Sequence, residues 1–256
     1  MKSPAARHMM RVSASETAQR AATPLRNATA YEQMLVKVAA DNRTLKQIRS
    51  KEHKAAKKRE LLPFYLPWVA GVLSGGKGAQ DDIVMTVMLW RLDANDIAGA
   101  LDIARYAMTY GLTMPTGRRP TPYLLAEEVA LAAQRLRDAK QPVELANLID
   151  TLDLTARADM PDIVRAKLHK ITGYVLRDAG QQADALAHLQ RAIQLEGAIG
   201  VRKDIEQLER ALKPKPEPAP KAGAAPKVNK PRTRKATAKP AARRGRPPKA
   251  ATKTAG

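Results

Sequence analysis

The distribution of proline and positive charge confines any compact fold to the part of the chain before residue 213. The last 44 residues, 213–256, contain 14 Lys or Arg, one acid (Glu217) and half of the 18 prolines. Such a segment cannot bury enough apolar surface to offset the entropy that it would lose on ordering. We therefore predict that 213–256 is a disordered basic tail.

The rest of the chain is also divided by charge. Residues 1–60 carry a net charge of +9, whereas residues 61–212 hold 17 basic and 19 acidic side chains. A nearly neutral body between two basic ends is typical of a folded module with extensions that bind nucleic acid. There is no cysteine, which excludes disulfides and thiolate metal sites. No apolar run approaches the roughly 20 residues that span a bilayer, so we expect a cytoplasmic protein without a membrane partner.

The tail predicts contact with double-stranded DNA. Lys and Arg side chains that neutralise phosphates release condensed counterions, which favours binding. The sequence Arg244-Gly245-Arg246-Pro247 resembles an AT-hook, in which glycine lets the backbone lie in the narrow minor groove while arginines meet its negative potential. The candidate DNA-binding residues of the tail are Arg232, Arg234, Arg243, Arg244, Gly245, Arg246, Pro247 and Lys249.

A long basic helix is predicted over residues 29–62, after a flexible lead at 1–28. Thr29 and Glu32 form a capping-box pattern, and no Gly or Pro follows until Pro63. Apolar residues from Tyr31 to Ala55 recur at three- and four-residue spacing, which indicates a narrow seam for a second copy and hence a homo-oligomer. A solvated face is the alternative interpretation of the charges at 43–59. The candidate DNA contacts of this helix are Arg43, Lys54, Lys57, Lys58 and Arg59.

The segment 63–212 is predicted to be an all-α body. Pro63 is expected to end the long helix, and the aromatic residues at 64–68 are expected to pack at the junction, with base stacking as the alternative. Helices are predicted at 81–92, 96–110, 122–140 and 143–156, with Gly111 as a C-cap. The stretch from Pro161 to Leu212 resembles one tetratricopeptide-like helical pair with a closing helix.

Catalytic motifs are weak in this sequence. Residues 71–78 match a P-loop pattern except that Gly78 replaces Ser or Thr, and no strand precedes them, so we interpret them as a flexible loop. Helix capping is the favoured explanation of the adjacent carboxylates Asp81 and Asp82, which are the candidate catalytic residues, as ligands of Mg²⁺, if the protein cuts DNA. Asp93, Asp96, Glu127 and Glu128 also have helix-end or surface explanations, and the four histidines lack metal-ligand spacing. No cofactor motif is recognisable.

Several blocks together resemble the small terminase subunit, or terminase endonuclease subunit, of temperate contractile-tailed bacteriophages. The resemblance covers nearly the whole chain. The blocks are 3–11 (SPAARHMMR), 31–37 (YEQMLVK), 60–68 (ELLPFYLPW), 76–83 (GKGAQDDI), 88–93 (MLWRLD), 104–107 (ARYA), 114–115 (MP), 159–162 (DMPD) and 165–170 (RAKLHK).

The resemblance implies a function in packaging the phage genome in the host cytoplasm. It implies binding to the cohesive-end site on concatemeric DNA, a large ATPase subunit as partner, and docking of the complex on the capsid portal. The family name implies an endonuclease, but the residues themselves show no nuclease motif, so whether this subunit cuts DNA stays open, with Mg²⁺ as the cofactor if it does. An architectural DNA-binding protein without a packaging role, and a self-sufficient nuclease, are the alternatives.

Overall fold

The computed structural model describes residues 3–19, 29–115, 117 and 119–213, all within the first of the chain's two units, residues 1–214. These ranges form ten α-helices and no β-strand, which confirms the all-α prediction. None of these helices has the length and apolar character needed to cross a membrane. The helices are α1 (Pro4–Gln19), α2 (Thr29–Gln47), α3 (Lys51–Gly75), α4 (Asp82–Asp93), α5 (Ile97–Tyr110), α6 (Thr121–Asp138), α7 (Leu145–Thr155), α8 (Asp162–Asp178), α9 (Gln182–Leu195) and α10 (Arg202–Leu212).

Helix α1 corrects the prediction of a flexible lead over residues 1–28. It packs along α3, with Ala14 fully buried and Ala6 and Met10 partly buried on the same face. These three residues are four positions apart, which places them in one row on a helix. The polar composition of the lead concealed this short apolar row. Residues 20–28 lie outside the described residues.

Gly71 is the point of closest approach between α1 and α3. A Cβ atom on Gly71 would overlap the backbone carbonyl of Arg11 and would lie 2.9 Å from the Cβ of Ala14. Neither obstacle is the end of a flexible side chain, so an added methyl group must push the two helices apart. Helix α1 therefore packs closely on α3 as part of the core.

We expect Gly71→Ala to lower the free energy of unfolding by about 1–3 kcal/mol, the usual cost of overpacking. The control is Gly197→Ala, because a Cβ at Gly197 meets no atom within 4 Å. Urea denaturation followed by circular dichroism measures both. Equal stability of the two variants would contradict the close packing of α1 on α3.

The segment predicted as one helix over 29–62 is two helices. Helix α2 ends at Gln47, and α3 begins at Lys51 after Ser50. The Ser50 hydroxyl accepts a hydrogen bond from the backbone N–H of His53 at 3.3 Å. A serine cap of this kind competes with the continuing helix and favours a new start. Ser50 is a possible N-cap in the sequence, but the absence of Gly and Pro over residues 29–62 favoured the prediction of one helix.

Helix α3 continues through Pro63 and Pro67, whereas the sequence predicted its end at Pro63. Each interior proline costs about 3 kcal/mol in an exposed helix, because a backbone hydrogen bond is lost. Full burial of one large apolar side chain contributes about 1.5–3 kcal/mol, so burial along α3 offsets this cost. The buried residues of α3 are Leu62, Tyr65, Trp68, Val69, Gly71 and Val72.

The apolar stripe of α2 is covered by its own chain. Tyr31, Met34, Val38 and Leu45 are each at most 7% exposed. Asp41 interrupts the stripe in the sequence, but its buried carboxylate accepts hydrogen bonds from Lys37 Nζ and, at 2.6 Å, from the Tyr65 hydroxyl. This stripe of α2 is therefore not a free seam for a second copy, and the homo-oligomer stays a prediction without that support.

The aromatic residues at 64–68 form the packing cluster that the sequence predicted. Tyr65 and Trp68 are fully buried. The Tyr65 ring packs edge-on against Phe64 and Trp90, with centroid distances of 5.2 and 5.6 Å. Trp68 lies 6.0 Å from the ring of Tyr31. The two buried rings have no open face on which a base could stack.

The prediction of a flexible loop over residues 71–78 is wrong, because residues 71–75 are the C-terminal end of α3 and the short loop between α3 and α4 is held in place by side chains. Gly78 has a φ of 82°, and its N–H donates to the Tyr106 hydroxyl at 2.9 Å. The Tyr110 ring occupies the space that a side chain at this position would need. The Gln80 side chain exchanges two hydrogen bonds, of 2.8 and 2.9 Å, with the backbone of Thr113. The close contact of Gly78 with Tyr106 and Tyr110 of α5 therefore explains why a glycine is needed here, without a bound phosphate.

The remaining predicted helices are confirmed with small shifts of boundary. Gly111, with a φ of 68°, closes α5 as the predicted C-cap. Helices α8 and α9 form the tetratricopeptide-like pair, and the missing side chain of Gly173 makes room for Leu189 where they cross. Helix α10 packs on α9 and buries Leu208. This hairpin and its closing helix complete the body.

Candidate functional site

The basic segment, residues 43–59, spans the interruption between α2 and α3 and holds eight cations and one acid. Arg43 is exposed, and its Nε donates to the Ala39 carbonyl at 3.3 Å. Lys57 pairs with Glu60 at 2.7 Å on the exposed surface. Lys54 forms no ion pair within the described ranges. Arg43 and Lys54 therefore keep their charge available for a phosphate.

Two other cations of the basic segment are engaged within the fold. Lys58 forms an ion pair with Asp93, and its side chain is only 14% exposed. Arg59 donates from Nε to the Ala94 carbonyl at 3.3 Å, so it also fastens α3 to the end of α4. Lys58 thus has its charge neutralised inside the protein. The five predicted residues lie on two successive helices, Arg43 on α2 and the others on α3, and their charges are not equally available to a partner.

The candidate DNA-binding residues of the tail cannot be placed in the same way. All of them lie outside the described residues: Arg232, Arg234, Arg243, Arg244, Gly245, Arg246, Pro247 and Lys249. Their assignment remains the prediction made from the sequence.

Asp81 is the N-cap of α4 and is 2% exposed. One carboxylate oxygen accepts the backbone N–H groups of Ile83 and Val84 at 2.9 and 3.0 Å, and the other accepts Trp68 Nε1–H at 2.8 Å. Burial raises the pKa of Asp81 to about 6, while these three donors favour the ionised form and limit the rise. Both oxygens are hidden and occupied, so Asp81 does not fit the part of a metal ligand.

Asp82 faces different partners from Asp81. Its Oδ1 accepts the Gln80 side-chain N–H at 2.9 Å, and its backbone N–H donates to the Tyr31 hydroxyl at 3.2 Å. Within the described ranges, no three His, Asp or Glu side chains are grouped to hold a metal ion. The pair Asp81 and Asp82 therefore does not fit Mg²⁺, and no catalytic step can be derived from it.

The other acids have structural partners. Asp96 caps α5 by accepting the Gly99 N–H at 3.0 Å, and it accepts Arg91 Nη1–H at 2.6 Å. Glu127 forms an ion pair with Arg119. Burial, followed by the nearby charges of Asp93 and Glu127, raises the pKa of Glu128. The contacts of Asp96 match the helix-turn explanation given by the sequence, whereas Glu128 is partly buried.

His169 and His188 face each other across the α8–α9 pair. Their Nδ1 atoms lie 3.1 Å apart, a distance at which one ring donates an N–H to the other. Burial, together with the charge of His188, lowers the pKa of His169 to about 4, and burial also lowers the pKa of His188. Both rings are therefore neutral near pH 7, and their contact serves packing.

A groove of about 340 Å³ lies beside the end of the basic segment. We call it the arginine groove, because Arg59 and Arg91 stand in its wall. Leu66 is 42% exposed there. The sequence did not predict Arg91 or Leu66 as functional residues; the three- and four-residue spacing of Arg59, Leu62 and Leu66 along α3 was the only signal. The remaining lining residues are Leu62, Pro63, Ala94, Asn95 and Asp96.

Comparison with known proteins agrees with the sequence blocks described above. The family described as phage small terminase subunit matches residues 35–163. The chain is 68% identical to the "Terminase, endonuclease subunit" of Escherichia phage P2 over 253 residues, which cover 98% of this chain and 100% of that protein. It is 26% identical to the "Probable terminase, endonuclease subunit" of Haemophilus phage HP1 over 165 residues, 59% of each chain. No solved structure gives a significant match.

Proposed function

Because this chain belongs to the phage small terminase subunit family, we propose that it binds the cohesive-end site on concatemeric phage DNA and directs cleavage there. A large ATPase subunit is its partner in the complex, which docks on the capsid portal in the host cytoplasm. The observation that carries the proposal is the 68% identity to the phage P2 protein over nearly the whole chain.

The proposed DNA contacts are the tail and the cations of the basic segment other than Lys58 and Arg59, which are engaged with the end of α4. Arg43 is exposed on α2 and Lys54 is partly exposed on α3, and the tail adds 14 Lys or Arg against one acid. Cations of this kind neutralise phosphates without reading the base sequence. The Arg-Gly-Arg-Pro element of the tail adds a preference for a narrow minor groove. DNA affinity thus comes mainly from the two basic ends of the chain.

Cleavage is proposed to be an activity of the complex with the large subunit. The single candidate carboxylate that is fully buried, Asp81, has both oxygens bound by N–H groups of its own chain. A metal-assisted nuclease requires carboxylates that are open to a metal ion and to the phosphate. We therefore assign recognition to this subunit and cutting to the assembled terminase. The name of the phage P2 relative, an endonuclease subunit, fits a subunit that takes part in cleavage within the complex.

The proposal is tested with purified protein and linear DNA that carries the phage cohesive-end junction, in the presence of Mg²⁺ and ATP. We expect the protein alone to bind this DNA without cutting it, and we expect site-specific cutting once the purified large subunit is added. Gel mobility measures binding, and end-labelled DNA measures cutting. The control is DNA of equal length and base composition with the junction scrambled.

Site-specific cutting by this protein alone would overturn the division of labour and would reopen the question of its catalytic residues. Equal binding to the junction and the scrambled DNA, with no cutting after the large subunit is added, would contradict the recognition role itself.

A further inference from the structure

We propose that the arginine groove binds a peptide segment of a protein partner in which a carboxylate lies next to a bulky apolar side chain. Under the proposed function, that partner is the large terminase subunit. The inference therefore rests on the proposed function and deepens it by naming the contact between the two subunits.

The apolar part of the groove fits a side chain of a partner. Leu62, Pro63 and Leu66 lie in it, and Leu66 is 42% exposed while the adjacent Tyr65 is fully buried. Removing such apolar surface from water favours association. The volume of about 340 Å³ lies at the lower end of the roughly 300–1,000 Å³ found for pockets that hold compact ligands. The groove is thus suited to a short anchor rather than to an extended domain surface.

The charged part of the groove fits a carboxylate. The bond from Arg59 Nε to the Ala94 carbonyl fixes the guanidinium, while its terminal nitrogens have no acceptor among the described residues. A planar guanidinium that is held in this way can bind a carboxylate with two parallel hydrogen bonds. The single acid in the lining, Asp96, already accepts a hydrogen bond from Arg91. The lining therefore keeps an excess of one positive charge.

Arg91 is held in the groove by the shape of the fold around it. A Cβ atom at Gly99 would overlap the Arg91 guanidinium, so the glycine is what makes room for this side chain. Arg91 Nε is buried and has no hydrogen-bond partner in the described part of the chain. A buried donor without an acceptor is uncommon and costly. Arg91 Nη1 is already paired with Asp96, so the unsatisfied group is the Nε–H donor, and a carboxylate in the groove would stabilise the positive guanidinium that carries it.

The backbone around Pro63 favours a peptide over a nucleic acid. Pro63 and Pro67 have no N–H, so the carbonyls of Arg59 and Pro63 lack their usual helical donors. A peptide backbone carries an N–H at nearly every residue, whereas a phosphodiester backbone carries none. DNA also offers no aliphatic side chain for Leu62 and Leu66. The protein's own tail has the wrong charge, with 14 Lys or Arg and one acid.

The test measures binding of the full-length protein to the purified large subunit of the same phage by biolayer interferometry. Leu66→Glu and Arg59→Gln are each expected to weaken this binding tenfold or more. The new glutamate repels the carboxylate of the partner peptide, and the loss of Arg59 removes the guanidinium that binds it. Leu66→Met, which keeps an apolar side chain of similar volume, and Lys54→Gln, which removes an accessible cation outside the groove, are expected to change it less than threefold. Circular dichroism checks that every variant is folded.

A second measurement separates the groove from the DNA contacts. Leu66→Glu is expected to bind cohesive-end DNA like the wild type, whereas Lys54→Gln binds it more weakly. If the wild type binds the large subunit and neither groove variant weakens this binding, the inference is overturned and the proposed function stays intact. Loss of DNA binding alone in Leu66→Glu, or a change of oligomeric state in sedimentation, would reassign the groove to DNA or to a second copy. No binding of the wild type to the large subunit would overturn both proposals.

Discussion

Replacing Asp81 by alanine is expected to lower the free energy of unfolding at pH 7 by about 3 kcal/mol. Loss of a helix N-cap costs about 1 kcal/mol, and a buried donor left without its acceptor costs about 1–3 kcal/mol. Here the cap of α4 is lost, and Trp68 Nε1–H is left unpaired in the core. Urea denaturation followed by circular dichroism measures the change.

The matched control for this prediction is Asp82→Ala. Asp82 is the next residue, carries the same charge and is only partly buried, so its replacement should change stability by no more than about 0.5 kcal/mol. The opposite pattern would contradict the structural assignment of Asp81. If Asp81 were instead a metal ligand for catalysis, Asp81→Ala would abolish DNA cleavage by the assembled terminase while the free energy of unfolding stayed the same or rose.

Ending the chain at Leu212 is expected to flatten the salt dependence of DNA binding and to lower DNA affinity by at least about tenfold. Each phosphate contact contributes about 0.9 to the slope of log K against log salt. The deletion removes 14 Lys or Arg. If roughly half of them contact phosphates, the slope falls by about 6. Fluorescence anisotropy at several salt concentrations measures both quantities.

A narrower variant serves as the control for the deletion. Replacing Arg244 and Arg246 by alanine removes the minor-groove element but keeps the other cations of the tail. We expect this double variant to lose its preference for A·T-rich DNA, while its slope falls by only about 2. Both variants should keep the circular dichroism of the wild type, because the last described helix ends at Leu212. An unchanged salt slope after the deletion would show that the tail does not bind DNA.

The parts of the fold that the sequence predicted well depend on local signals. Asp81 and Asp96 cap α4 and α5, and Gly111 closes α5, because each acts on residues within one turn of itself. The errors came from contacts between distant residues. The sequence did not show that α1 would meet Gly71, or that burial on one side of α3 would carry the helix through Pro63.

The candidate site shows the same difference between local signals and long-range contacts. A charge pattern identified the basic segment, but it could not show which cations are already paired. Lys58 and Arg59 contact residues that lie 35 positions further along the chain, at Asp93 and Ala94. The arginine groove depends on the same long-range contacts between α3 and the turn after α4. Its apolar and charged residues could be recognised as one surface only after the helices were placed.

The hydrogen bond from Trp68 to Asp81 provides the protein with a built-in optical reporter. Trp68 and Trp90 are its two tryptophans, and both are buried in the core formed by α3 and α4. The indole N–H donates to a carboxylate whose pKa is about 6, so proton uptake by Asp81 changes the electric field across the indole ring. Because both tryptophans lie at this junction and the tail contains none, we expect intrinsic tryptophan emission to report on the α3–α4 junction and on the protonation of Asp81 rather than on the tail.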